Sequence, residues 1–290
     1  MIETHGIVKR YGAEAALDGI DLAVPPGVVY GLVGPNGAGK TTLFGILSGL
    51  RRATAGTVAI DTPPHRMAVL PDTPQFDPWL TGREVVSLAR HLVDGEPGKV
   101  DEVLAQAGLE GAADRRVGGY SRGMLQRLGV ACTVVGDPEL VLLDEPASAL
   151  DPEGRREVLD LIGKLRGTST VLFSSHILSD VQEVCDMVGI LNKGHLMYQG
   201  SLESLLVGAA IPRYVVRFRA EAEGAAQRLR SLDWITDVEM LDATTLALSV
   251  TSAETAELQI PGALAPLGLP VVAVHPEAVD LERTFLELTK

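Results

Sequence analysis

Apolar residues fall into short unbroken runs separated by amphipathic stretches along the first two thirds of the chain. Val28-Val29-Tyr30-Gly31-Leu32-Val33, Leu140-Val141-Leu142-Leu143 and Thr170-Val171-Leu172-Phe173-Ser174 are too short for stable helices and lack polar alternation. Each therefore predicts a strand buried on both faces. Helices are predicted between them. One is apolar and runs through Thr42-Leu43-Phe44-Gly45-Ile46-Leu47 behind a glycine-rich loop. Another opens at Thr81-Gly82-Arg83-Glu84, which has capping-box spacing, and continues to about Val93. Residues 99–107 and 153–166 read as further helices. Residues 1–30 otherwise read as short strands with turns at Tyr11-Gly12 and Pro25-Pro26-Gly27, and prolines crowd the stretch from Pro63 to Pro78. Strands alternating with helices imply an α/β fold around a parallel sheet.

The texture changes near Val207-Gly208. Residues 213–219 alternate as a strand, 221–231 read as helix, 235–241 and 245–250 as strands, 253–266 as helix and 270–275 as strand. The order β-α-β-β-α-β predicts a small ferredoxin-like α+β module, closed by a short helix at 279–289. The expected organisation is a domain over 1–207, with a helical subdomain at about 80–136, and an accessory domain over 208–290.

A chain of 290 residues has room for a larger and a smaller domain. Its apolar and charged content is that of a globular protein able to bury its own core. The two cysteines, Cys132 and Cys185, stand far apart and outside any Cys-x-x-Cys spacing, which fits a reducing compartment and small buried apolar residues. His5, His65, His91, His195 and His275 share no ligand spacing. A net charge of −13 disfavours nucleic acid as a partner and unaided adsorption to anionic lipid. No apolar run approaches the roughly 20 residues that span a bilayer. Met1-Ile2-Glu3-Thr4 lacks the basic-then-apolar layout of a signal peptide, so a role at a membrane requires a partner that crosses it.

The glycine-rich loop carries the first chemistry. Gly34-Pro35-Asn36-Gly37-Ala38-Gly39-Lys40-Thr41, followed by Thr42, fills every fixed position of the phosphate-loop pattern between a strand and a helix. Glycines let successive backbone N–H groups turn toward phosphate oxygens, and the helix adds its positive end. Lys40 is expected to reach the β- and γ-phosphates, and the Thr41 hydroxyl to hold Mg²⁺. A second acidic pair, Asp144-Glu145, ends an apolar strand. In a phosphate-loop protein an aspartate there completes Mg²⁺ coordination, and the next glutamate can polarise an attacking water.

With these residues the chain resembles the nucleotide-binding subunit of ABC transporters, most of all those of the ABC-2 type exporters. Tyr120-Ser121-Arg122-Gly123-Met124-Leu125-Gln126-Arg127 resembles the ABC signature, and Ser148-Ala149-Leu150-Asp151 the D-loop. His176 resembles the switch histidine, and Tyr11 stands where the adenine-stacking aromatic is usual. The motifs occur in the family's order over about residues 1–205. The resemblance implies an ATPase that turns ATP and water into ADP and phosphate. Two cassettes, identical or related, pair head to tail around ATP and Mg²⁺, and power export through a separate membrane permease at the cytoplasmic face of the cell membrane. It further implies that Ser121, Arg122 and Gly123 contact the partner's ATP, that Glu145 and His176 are catalytic, and that Asp151 communicates between sites.

The chain departs from the family pattern at Arg122, where glycine is usual, and at Met124, where glutamine is frequent. At the Q-loop, Asp72 falls at the equivalent position of a glutamine that contacts Mg²⁺, with Gln75 three residues on as the alternative. Trp79 and nearby apolar residues such as Val85, Val86, Leu88 and Leu92 are candidates either for a groove that receives the permease or for core packing. Two other classes are open to a phosphate-loop protein: a soluble ABC ATPase acting on DNA or ribosomes, and a phosphotransferase. Fused cassettes, a long coiled coil or a basic surface would mark the first, and none is visible. The signature and the Glu145-to-His176 order count against the second.

Overall fold

The computed structural model describes residues 1–148, 150–208, 212–276 and 281. The predicted helix at 279–289 lies outside the described residues except for Leu281. The chain divides into two compact units, one over Met1–Ser204 and one that begins at Leu205. The division falls just ahead of 207/208, because helix α7 (Leu202–Gly208) straddles it and the apolar pattern does not change until that helix ends.

In the first unit the strands are β1 (Ile2–Tyr11), β2 (Glu14–Ile20), β3 (Ala23–Val24), β4 (Val29–Val33), β5 (Ala55–Ile60), β6 (Met67–Leu70), β7 (Leu140–Leu143), β8 (Thr170–Ser175), β9 (Met187–Asn192) and β10 (His195–Ser201). The helices before α7 are α1 (Lys40–Leu47), α2 (Gly82–Leu92), α3 (Lys99–Gln106), α4 (Arg122–Val134), α5 (Pro152–Lys164) and α6 (Leu178–Val184). The central sheet has the order β10-β9-β4-β8-β7-β6. All its neighbours are parallel except the edge strand β10, which is antiparallel to β9. Strands β4, β7 and β8 are buried at every position, as their unbroken apolar runs require. A second, antiparallel sheet sets β1 between β2 and β5, with β3 pairing the start of β1. Ile2, Ile7, Leu17, Ile20, Leu32, Leu43 and Leu142 belong to one apolar cluster shared by the two sheets and α1.

Parallel register decides where chemistry can collect. Val33 pairs with Ser175, Leu143 with Phe173, and Leu70 with Leu143. The carboxyl ends of β4, β6, β7 and β8 therefore open at one edge of the sheet, where α/β proteins bind ligands. Helices α2, α3 and α4 pack on one another between β6 and β7 in the sequence. Thr81 caps α2 as its spacing predicts: its hydroxyl accepts from the Glu84 N–H at 3.2 Å, and Glu84 accepts from the Thr81 N–H at 2.8 Å.

The second unit has strands β11 (Arg213–Phe218), β12 (Ile235–Asp242), β13 (Thr245–Val250) and β14 (Val271–Pro276), with helices α8 (Glu223–Leu229) and α9 (Ala253–Leu264). The order β12-β13-β11-β14 is antiparallel throughout, as a ferredoxin-like β-α-β-β-α-β chain requires. Tyr214, Val216, Phe218, Leu246 and Leu248 pack with Ala225, Leu229, Ile260 and Leu264 into a core of its own.

Candidate functional site

The phosphate loop joins β4 to α1 through two glycines with no substitute. A Cβ on Gly34 would stand 2.2 Å from the carbonyl oxygen of Leu191 on the neighbouring strand. Gly39, the N-cap of α1, has φ 111°, and a Cβ there would meet the Ala16 carbonyl at 2.6 Å. The close approach fixes the loop against β9 and β2, and leaves α1 pointing its N–H groups into the pocket.

Lys40 is buried, at 6% exposure. Its ammonium donates to the carbonyls of Gly34 at 2.7 Å and Pro35 at 3.3 Å, and it pairs with a Glu145 carboxylate oxygen at 3.2 Å. The other Glu145 oxygen lies 2.8 Å from His176 Nδ1. Glu145 is held in a left-handed backbone conformation, φ 51°, which a non-glycine residue adopts at a cost. The Ser174 hydroxyl fixes that turn: it accepts from the Glu145 N–H at 2.8 Å and donates to Asp144 Oδ1 at 2.6 Å. One serine on β8 thereby orients both acids that follow β7.

Asp144 is buried, and burial raises its carboxyl above the ordinary carboxylate range. Hydrogen bonds from Ser174 and Thr41 oppose that rise, while the charges of Asp72 and Glu145 add to it. An acid in this setting favours a nearby cation. Thr41, Asp144 and Asp72 present only hard oxygen donors, which suits Mg²⁺, an ion that keeps several waters and shares its shell with phosphates. Among the described residues no group of three or more His, Cys, Asp or Glu side chains forms a ready-made metal cage.

Most of these groups line one polar pocket of about 420 Å³, with Asp144 and Ser174 buried behind its lining. Asn36 to Thr42, Asp72, Glu145 and His176 meet there, and Ser148 joins them. Gly34 and Pro35 stand behind the pocket as the acceptors of Lys40. Of the two Q-loop candidates, Asp72 lines this pocket, whereas Gln75 lines a separate cleft. Tyr11 is half exposed, accepts from Arg51 Nη1 at 2.6 Å, and is hydrogen-bonded with Thr42 at the end of the phosphate loop.

The signature lies elsewhere. Ser121 is the N-cap of α4 and accepts from the Met124 N–H at 3.2 Å. Ser121 and Arg122 are exposed, and neither they nor Gly123 line the pocket. Asp151 caps α5, accepting from the Gly154 N–H at 3.3 Å. A Cβ on Gly123 would lie 3.2 Å from Leu150, so the signature helix and the D-loop touch. Ala149 lies outside the described residues.

Sequence reasoning missed Ser174, whose one signal is its place at the end of an apolar strand before His176. It also missed the Lys40–Glu145 pair, which spans the sheet and has no local signature. Val85 and Val86 are core residues of α2, while Trp79, Leu88 and Leu92 are exposed. The cysteines are buried or partly so, and burial pushes the Cys132 thiol up to about 12. Among the described residues no helix is long and apolar enough to cross a membrane.

The sequence profile of the ABC transporter family matches residues 17–148. The bacitracin transport ATP-binding protein BcrA of Enterococcus faecalis is 34% identical, over 84% of this chain and 82% of its own length. The daunorubicin/doxorubicin resistance ATP-binding protein DrrA of Streptomyces peucetius is 35% identical, over 80% of this chain and 75% of its own. A solved ATP-binding subunit of an ABC transporter superposes with a TM-score of 0.66 at 25% identity, covering 72% of this chain and 92% of that one. The phosphate loop, the acidic pair at the end of β7 and the histidine at the end of β8 thus stand in a chain that belongs to the ABC transporter family, as one of its ATP-binding, ATP-hydrolysing subunits.

Proposed function

We propose that this subunit closes with a second cassette around two ATP molecules and drives export through a membrane permease, working from the cytoplasmic face of the membrane. The observation that carries the reading is the contact of Glu145 with both Lys40 and His176 in a single pocket. A γ-phosphate offered to Lys40 competes with the Glu145 carboxylate for the same ammonium. Phosphate binding therefore frees Glu145 to take a proton from a water aligned on the γ-phosphorus. Water oxygen bonds to that phosphorus, the bond to the β,γ-bridging oxygen breaks, and ADP leaves with the electron pair. His176, beside Glu145, holds the γ-phosphate in line. Thr41, Asp144 and Asp72 are the residues that would hold Mg²⁺, which would supply neutralisation of phosphate charge there.

Ser121 and Gly123, at the start of α4 and outside the pocket, are free to meet the ATP of a partner cassette. Tyr11 is the stacking surface for adenine, and Asp151 the link between sites. Permease docking is assigned to the apolar cleft of about 290 Å³ lined by Leu70, Pro74, Gln75, Phe76, Leu92 and Val93. The names of BcrA and DrrA, which speak of bacitracin transport and daunorubicin resistance, support export.

The test is the Glu145→Gln variant. It is expected to bind ATP at least as tightly as the parent and to release phosphate ~10²–10⁴ fold more slowly. Hydrolysis at the parent rate would remove Glu145 from this role.

A further inference from the structure

His176 and Asp151 introduce neighbouring helices. Asp151 caps α5, His176 stands just before α6, and the two helices pack against each other. One turn past Asp151, α5 carries Arg155. One turn past His176, α6 carries Asp180, which is only 3% exposed. Arg155 Nη1 faces Asp180 Oδ1 at 3.8 Å, within ion-pair range but short of a hydrogen bond. The Arg155 Nε is buried and has no hydrogen-bond partner.

A buried carboxylate is costly unless a cation and hydrogen bonds compensate it. Among the described residues Arg155 is the cation at ion-pair distance. Burial raises the Asp180 carboxyl above its ordinary range, Arg155 opposes this, and the charges of Glu183, His176 and Glu145 also reach it. The guanidinium has a spare donor, and the gap is small enough for a slight shift of α5 to close it into a hydrogen-bonded bridge. Helix α5 spans Pro152–Lys164 and is long enough to carry Arg155 with any displacement of its capping Asp151.

We propose that Asp180 and Arg155 are positioning residues for hydrolysis: their bridge tightens when a partner cassette presses on the D-loop, and α6 then sets His176 against the γ-phosphate. The proposal rests on the roles given above to Asp151, His176 and Glu145. It makes the pair a link between D-loop and switch histidine that touches neither nucleotide nor metal.

The experiment compares full-length Asp180→Asn, Arg155→Met, Arg155→Lys and the double variant D180N/R155M with the parent and E145Q. Steady-state phosphate release and thermal melting are measured for each. The bridge predicts that D180N and R155M lower kcat by roughly tenfold, within the range coupled pairs show. The KM for ATP should stay within about twofold, since ground-state binding is untouched. The double variant should lose no more than either single, and R155K, which keeps the charge, should recover most of the rate. A parent-like kcat in D180N or R155M overturns the bridge, as does additive loss accompanied by lower melting temperature and raised KM, the pattern of a merely structural pair. Arg155 is partly exposed, so R155M provides the reading even if D180N folds poorly. If E145Q is inactive while R155M matches the parent, the bridge alone fails. If E145Q also hydrolyses ATP, the assignment of the site itself fails.

Discussion

Asp144 shows how a single residue is held in a form that serves its chemistry at a cost to the fold. Its carboxyl is raised chiefly by burial, so the folded protein holds that proton more firmly than the unfolded chain. Stability from this group is full below the ordinary aspartate range and is lost as pH rises through the raised value. Burial disfavours the charged form of this acid, a cost that a cation bound there would offset. Asp144→Asn is therefore expected to raise the melting temperature measured without nucleotide, and to erase the added stabilisation that Mg²⁺ with ATP gives the parent. A lower melting temperature with that stabilisation intact would reverse the assignment. Asp72 extends the argument. It lines the pocket and raises Asp144, so Asp72→Asn should shift the Mg²⁺ dependence of hydrolysis, while Gln75→Ala should leave that dependence unchanged. An unchanged Mg²⁺ profile in Asp72→Asn would make Asp72 a turn residue only.

At the scale of elements, the local signals were the readable ones. The runs that form β4, β7 and β8 are unbroken because both faces are covered, and the capping box at Thr81 acts within one turn. Strand β6 is four residues long and hidden in the proline-rich stretch, so nothing in its own pattern separates it from loop; its pairing with β7 makes it a strand. The pairing of β5 with β1 depends on a partner distant in sequence, whereas the edge hairpin of β9 and β10 turns locally at Lys193-Gly194, both of positive φ. The phosphate loop and the acidic pair were legible for the same local reason. The bridge made by Ser174 was not, because parallel register decides it; the sequence alignment favours Asp72 over Gln75, and of the two Asp72 lines the pocket. Thr81→Ala removes one side of a reciprocal cap, and should cost about 1 kcal/mol in denaturant unfolding. ATP affinity should not change, because α2 does not line the nucleotide pocket. A change in affinity with stability unaltered would place α2 nearer the site than its contacts do.

For the whole molecule, the incomplete pocket matters most. The phosphate loop and Glu145 share one cavity while Ser121 and Arg122 stand outside it, on exposed positions, so the proposed function requires a second cassette to finish the site. Each copy carries a net charge of −13, so pairing works against repulsion between like-charged bodies. ATP-driven pairing should therefore strengthen as salt rises from low ionic strength, where the screening length exceeds the roughly 10 Å of 0.1 M solution. The most direct measurement is the molar mass of the E145Q protein by light scattering with ATP and Mg²⁺, alone and with Ser121→Arg added. The account predicts a dimer for E145Q that ADP does not support and that Ser121→Arg abolishes. A monomer for E145Q under every nucleotide condition, or a dimer indifferent to both ATP and Ser121, would contradict it.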